Sequence, residues 1–350
     1  MIGLGHRPSV VPMSGPHMLL RMAEMSRRTV LVAGVSLGFA MTTSGATALR
    51  ALAADGVRTV NVLGDYTIRN ATTGCQVSVT VRKGIRSITS NGLPDYQPGT
   101  FPNSGNPNAI SAQNYSYSLP TKPKLTTITP FDIPQSFGIS VDGVLFDPFA
   151  AEYWNKDRNS GWQYYALGGG VDLGIDQNNA HVQPSGAYHL HGVPDGLLKV
   201  LGSSRHSPLV GWAGDGFPIY VRNGYANSKK AGKVRAIKSS YQLKTGTRPS
   251  GPGGTYNGWF NQDYEYIAGS GDLDAANGRF CVTPDHPKGT YAYFITDGFP
   301  SVPNAFAGSI ASSFLAKAPT GGAPTGGPPS GGGPPTGGPP GGGPPPRAKG

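Results

Sequence analysis

Residues 176–191 read DQNNAHVQPSGAYHLH, and residues 274–294 read DAANGRFCVTPDHPKGTYAYF. The two stretches share a plan. Each opens on Asp-x-x-Asn, as Asp176 to Asn179 and as Asp274 to Asn277. Each then passes through a Pro-containing loop into Gly-x-Tyr, as Gly186 to Tyr188 and as Gly289 to Tyr291. Asp and Asn side chains fold back onto nearby backbone in turns, so these residues read as loop-capping groups. A third correspondence pairs Asp215-Gly-Phe-Pro218 with Asp297-Gly-Phe-Pro300. A duplicated β-loop-β unit and convergent loop chemistry both fit the pattern. Under duplication, His181, His189 and His191 correspond to Arg279, Ala292 and Phe294. The scaffold residues recur and the histidines do not.

The flanking sequence is of the same kind. Gln76–Arg82 alternates Val77, Val79 and Val81, the pattern of a half-buried strand. Phe137–Asp147 places Asp142-Gly143 between two β-prone runs, a hairpin signal. Phe217–Val221 and Thr290–Thr296 read as strands. Ala150–Lys156 and Leu197–Gly202 allow a turn or two of helix each. Residues 91–95 (NGLPD) and 101–108 (FPNSGNPN) are turn and loop chemistry. The fold class predicted is all-β or β-dominated: a sandwich or barrel with long ordered loops and a few short helices.

Four of the seven histidines fall between residues 176 and 220: His181, His189, His191 and His206. On a strand, His189 and His191 would point to one face. Neutral imidazole is a ligand for copper and zinc. His181, across the Pro-Ser-Gly turn, approaches from the preceding strand, and His206 or Asp215 would complete the shell. Three histidines with an open position suit a catalytic or exchangeable ion, and four closed ligands a structural one. A second reading uses Tyr188, Trp212, Tyr220 and Tyr225 as a carbohydrate- or envelope-polymer-binding groove, with the histidines hydrogen-bonded and metal-free. A third pairs His189 or His191 with Asp215 as an acid–base couple. It lacks a Gly-x-Ser-x-Gly elbow, and Ser207 is followed by Pro208.

Both chain ends read as separate segments. Residues 1–53 form an export signal. It has Arg27-Arg28 of twin-arginine type, a short apolar run and small residues at its end, with Met25 as the better start. Residues 318–350, almost only Gly, Pro, Thr and Ala, read as a disordered tail. Between them, 54–317 is one β-rich domain. Removing the leader lowers the formal charge from +10 to +6. The densest basic stretch, Lys229–Arg248, reads as a solvated loop or edge strand. A periplasmic, cell-surface or extracellular setting makes nucleic acid an unsuitable partner and an envelope polymer or small ligand a suitable one. No run after the leader is long and apolar enough to span a bilayer. Cys75 and Cys281 leave open a disulfide, two buried thiols or a thiolate ligand at Cys281.

Several ordered motifs together resemble the YHYH domain family. They are Asn179-Ala-His181, Gly186-Ala-Tyr188-His189-Leu190-His191, the run His206-Ser-Pro-Leu-Val-Gly211-Trp212-Ala-Gly-Asp215-Gly-Phe-Pro-Ile-Tyr220, and Gly271-Asp-Leu-Asp274-Ala-Ala-Asn277-Gly-Arg279. The resemblance spans about residues 75–310 and implies an exported or surface protein of unassigned biochemistry. Two positions depart from the family pattern. Leu190 stands where the family's name has a tyrosine, and Tyr96 follows Pro94-Asp95 where the family usually carries a histidine.

Overall fold

The structure, a computed structural model, describes residues 57–202 and 205–316. The expected export signal and Gly/Pro tail lie outside the described residues. Strands dominate. An antiparallel meander comes first, β1 (Tyr66–Arg69), β2 (Gln76–Arg82), β3 (Ile85–Ser90) and β4 (Tyr115–Pro120), in sequential order. Its alternation is that of a one-sided sheet: Val77, Val79 and Ile88 are buried while Gln76, Ser78 and Thr80 are exposed. Strand β5 (Leu125–Pro130) pairs with the last strand, β18 (Ala305–Gly308).

The second sheet has eight strands. They are β6 (Gly138–Ser140), β7 (Leu145–Phe146), β8 (Ala180–Val182), β9 (Tyr188–Leu190), β10 (Gly211–Ala213), β11 (Pro218–Val221), β16 (Gly278–Cys281) and β17 (Thr290–Ile295). Their spatial order is β16-β17-β11-β10-β6-β7-β9-β8. The sheet is open, with β16 and β8 at its edges, so the architecture is layered and no barrel closes. Ile68, Val79, Ile88 and Leu119 of the first sheet share one core with Ile139, Phe146, Trp212 and Ile219 of the second. Trp212 stacks on Tyr66 at 6.4 Å and carries the Arg86 guanidinium over its ring at 4.1 Å. Outside the sheet lie two small hairpins, β12 (Asn223–Tyr225) with β13 (Val234–Ala236) and β14 (Tyr241–Leu243) with β15 (Tyr264–Tyr266), and one short helix, α1 (Asp195–Leu201). None of the described helices is long and apolar enough to cross a membrane.

The eight-stranded order reads the same from either end once each strand is matched to its counterpart. A hairpin, β6-β7 or β10-β11, sends its second strand alongside a parallel partner, β9 or β17. That partner pairs antiparallel with the strand preceding it, β8 or β16. The halves meet at β6 and β10, where Gly138 faces Ala213 and Ser140 faces Gly211, a symmetric register. Both hairpins turn through Asp-Gly, at Asp142-Gly143 and at Asp215-Gly216. The glycines have φ of +84° and +92°, a region L side chains seldom enter. Asp215 is therefore matched by Asp142. Asp297 is an exposed residue paired with Arg222, so the expected match between Asp215 and Asp297 is corrected.

The Asp-x-x-Asn loops share three bonds to the capping carboxylate, and Asp176 accepts two more, from the Gly99 N–H at 2.8 Å and the Asn178 amide at 3.3 Å. The Asp176 carboxylate accepts from the N–H groups of Asn178 (2.8 Å) and Ala180 (3.1 Å) and from the Tyr188 hydroxyl (2.8 Å). The Asp274 carboxylate accepts from the N–H groups of Ala276 (2.9 Å) and Gly278 (3.1 Å) and from the Tyr291 hydroxyl (2.9 Å). Asn179 and Asn277 both take left-handed backbone, at φ of 57° and 53°, which asparagine tolerates better than most residues.

Candidate metal centre

One copy of the repeated loop carries the histidines. His181 lies on β8 directly opposite His189 on β9. His191 is two residues beyond His189, so strand alternation returns it to the same face. The loop closes behind it as the His191 N–H donates to the Asn179 carbonyl at 2.7 Å. The result is a near-equilateral triangle of imidazoles. Ring centroids are 4.6, 4.8 and 4.7 Å apart, and the rings stand at 64°, 74° and 72° to one another. One ring nitrogen from each lies within 4.8 Å of the other two.

Two of the histidines are held in a form suited to ligation. His181 Nδ1 lies 3.0 Å from the Leu173 carbonyl, and His189 Nδ1 lies 3.2 Å from the Ala187 carbonyl. Facing a carbonyl oxygen, Nδ1 carries the proton, which leaves the lone pair on Nε2. Neither ring nitrogen of His191 has a hydrogen-bond partner. Burial lowers all three pKa values. His189 is pushed down to about 3 by burial and by the neighbouring His181. His191 is held well below the usual imidazole range by burial, then by His189 and His181, with only the Asp147 backbone opposing. His181, the half-buried member, is lowered by burial. Neutral imidazoles gathered this closely are a donor set that could hold a transition metal. An ion bonded at about 2.0–2.1 Å to each nitrogen would draw the three closer together.

His206 and Asp215 do not join this group. Strands β6 and β7 lie between β9 and β10, so closeness in sequence to His191 does not become closeness in space. His206 packs against Tyr225 at 4.6 Å and Tyr220 at 5.4 Å, with Nδ1 2.8 Å from the Ser207 carbonyl. The Asp215 carboxylate accepts from the Tyr293 hydroxyl (2.5 Å) and from the N–H groups of Phe217 (3.1 Å) and Gly308 (3.0 Å). Burial pushes it up to about 6. It is a turn-fixing group, and the expected pairing of Asp215 with His189 or His191 as an acid–base couple does not form.

Three of the four side chains of the expected aromatic groove are not at the surface, and the fourth, Tyr225, is half-buried against His206. Tyr188, Trp212 and Tyr220 are core side chains, exposed by 1%, 2% and 0%. Cys75 and Cys281 are both free and buried. Burial pushes the Cys75 thiol above the range in which it would ionise, and it raises that of Cys281. Cys281 is not part of the histidine group. Tyr96, at the position where the resemblance implies a histidine, is buried edge-on against Tyr188 at 6.5 Å. One neighbour of the triad was not anticipated from sequence. Asp147, just past β7, donates its N–H to the Leu190 carbonyl at 2.8 Å and is buried. Its signal was the offset shared by two hairpins: Asp147 follows Asp142 by the interval that separates Tyr220 from Asp215.

Searches of curated proteins and of solved structures find no match. A family model described as "YHYH protein" matches residues 116–308, from β4 to the end of β18. That span is more than half of the chain and holds both halves of the eight-stranded sheet and all three clustered histidines. The chain belongs to the YHYH family.

Proposed function

We propose that this is an exported transition-metal-binding protein, with His181, His189 and His191 as the ligands and copper or zinc as the ion. The observation that carries it is the triangle itself: three neutral imidazoles from one β-loop-β unit, mutually inclined, with a ring nitrogen of each within 4.8 Å of the others. Buried polar groups are normally satisfied. A shared ion is the partner that would satisfy both His191 and the free Nε2 atoms of its neighbours.

Three protein nitrogens leave further coordination positions for an exogenous ligand, which favours an exchangeable or catalytic ion over a purely structural one. A bound ion supplies Lewis acidity or, for copper, one-electron chemistry. The chain's own part is to hold three lone pairs in place. The Leu173 and Ala187 carbonyls fix two of the rings, and the sheet supports all three. Export rests on the twin-arginine-type leader, and that route, which carries folded proteins, suits a centre loaded before translocation.

Inductively coupled mass spectrometry on natively purified protein tests the proposal, with the His189→Ala/His191→Ala double variant as control. Near-stoichiometric copper or zinc in the wild type and none in the variant is expected. Wild-type protein that holds no metal and takes up neither ion on titration would overturn it.

A further inference from the structure

We infer that Asp147 is the counter-charge of the histidine centre, set beside His191 by strand register. The inference rests on the metal reading above. It starts from register. The parallel ladder between β7 and β9 pairs Leu145 with His189 and Phe146 with Leu190. The Asp147 N–H bond to the Leu190 carbonyl, at 2.8 Å, carries the ladder one step further and sets Asp147 beside His191. Strand alternation gives the Asp147 side chain the same face as His189 and His191. The opposite half of the sheet bears this out. The residues equivalent to Asp147 and His191 are Tyr220 and Phe294, and their rings are neighbours at 6.0 Å.

The partners of Asp147 then set it apart. Among the described residues five aspartates are buried: Asp95, Asp142, Asp147, Asp215 and Asp263. Asp95 is paired with Arg58, and Asp263 with Arg248. Asp142 accepts from the Ser140 hydroxyl and the Asp95 N–H. Asp215 has the three donors already named. Asp147 has the Phe149 N–H at 3.2 Å, and among the described residues no cation pairs with it.

A buried carboxyl without a cation is unfavourable. So is a metal ion enclosed by three neutral imidazoles with no negative charge nearby. Adjacent strands are about 4.8 Å apart, so each of these two costs offsets the other once the ion is bound. Asp147 is not among the converging ligand atoms. It therefore stands outside the first coordination sphere and acts by its charge.

The test is Asp147→Asn, which keeps the shape and removes the charge. Zinc and copper affinities are measured by competition against a chromophoric chelator, alongside thermal melts of the metal-free and zinc-loaded proteins. Affinity should fall about 10- to 100-fold. The metal-free variant should melt at or above the wild-type temperature, because a lone buried carboxylate has been removed. The cobalt-substituted protein should also show a shifted visible spectrum. Unchanged affinity would overturn the inference. So would a variant less stable than wild type without metal, since that is the mark of a structural carboxylate. A wild type that binds neither ion removes the centre and this role with it, and is told apart by the wild-type titration alone.

Discussion

The two halves of the eight-stranded sheet use one scaffold for two ends. In each, an Asp-x-x-Asn loop is locked by a tyrosine hydroxyl, and an Asp-Gly hairpin supplies the strand that runs parallel to the tyrosine-bearing one. What stands on the scaffold differs. Where one half has His181, His189, His191 and Asp147, the other has Arg279, Ala292, Phe294 and Tyr220. In the second half the face is filled conventionally. The Arg279 guanidinium lies over Phe294 at 5.4 Å and donates to the Tyr225 carbonyl at 2.7 Å, and Tyr220 packs on the same ring. In the first half the same positions hold three imidazoles that face one another and a carboxyl without a cation among the described residues. The scaffold is indifferent to its cargo. The site lies in the few positions where the halves disagree.

Exchanging those positions tests the comparison most severely. His191→Phe copies Phe294 into the first half. It removes a ligand and two unsatisfied buried nitrogens while keeping an aromatic ring. Metal binding should weaken by more than about 100-fold, the cost of losing a whole ligand being larger than the 10- to 100-fold typical of outer-shell groups. The metal-free protein should stay as stable as wild type, as isothermal titration and thermal melts will show. A metal-free variant that fails to fold would mean that the halves are not interchangeable at this position.

Breaking the shared scaffold should hurt both halves alike. Asp176→Ala and Asp274→Ala each strand two loop N–H groups and a tyrosine hydroxyl, and Asp176→Ala strands the Gly99 N–H as well. A buried donor left unsatisfied costs about 1–3 kcal/mol, partly relieved where water reaches it. About 3 kcal/mol is expected for each, measured by urea unfolding. Similar values would confirm equivalent roles, and a threefold disparity would break the comparison.

Much of this was legible in the sequence because it is local. Loop-capping Asp and Asn, the Val77-Val79-Val81 alternation and the Asp142-Gly143 turn depend on residues a few positions apart. The equivalence of His181, His189 and His191 with Arg279, Ala292 and Phe294 was legible too, because the capping residues set the register on both sides. Strand order was not. Placing His206 and Asp215 at the centre assumed that β10 lies beside β9, whereas a hairpin from earlier in the chain is inserted between them. That insertion brings Asp147 to the site from more than forty residues away. No local pattern announces a parallel pairing, so the exclusion could not be read from composition or spacing, and the offset shared by the two hairpins points to Asp147 only once that pairing is known.

Protonation offers a gentler probe, because the titrating members of the exchanged set stand in the first half alone. His189 is pushed down to about 3, below its unfolded value of about 6.5. Between those values the unfolded chain binds a proton that the native state refuses. This group's contribution is therefore present above about pH 6.5 and lost as pH falls, at about 1.4 kcal/mol per unit. Asp147, pushed up to about 7 by burial, acts with the opposite sign. Its folded pKa lies above its unfolded value of about 3.9, so its stabilising share is present at low pH and is lost as pH rises towards 7. In metal-free protein between pH 4 and 6.5, the stability difference between wild type and His189→Gln should shrink by about 1.4 kcal/mol per unit as pH falls. For Asp147→Asn the difference should move the other way. Chemical denaturation at four or five pH values separates the two slopes, and parallel curves for wild type and His189→Gln would refute the assignment.

The smallest expected effect is also the most direct measure of how alike the halves are. Asn179 and Asn277 combine left-handed backbone with an amide that donates to a carbonyl in the next segment, Val193 at 2.9 Å and Phe294 at 2.8 Å. Glycine accepts that backbone without strain, so Asn→Gly removes the hydrogen bond and adds unfolded-state entropy while leaving the φ angle comfortable. A net loss of about 1 kcal/mol is expected at each position. Alanine, which must bear the left-handed strain as well, should cost about 1–2 kcal/mol more. The Gly-to-Ala gap reports backbone geometry and the Asn-to-Gly gap reports the amide bond. If both gaps agree between Asn179 and Asn277, the two loops are one device used twice. If they agree for the backbone and not for the amide, the histidine-bearing loop has been loosened where its ligands sit.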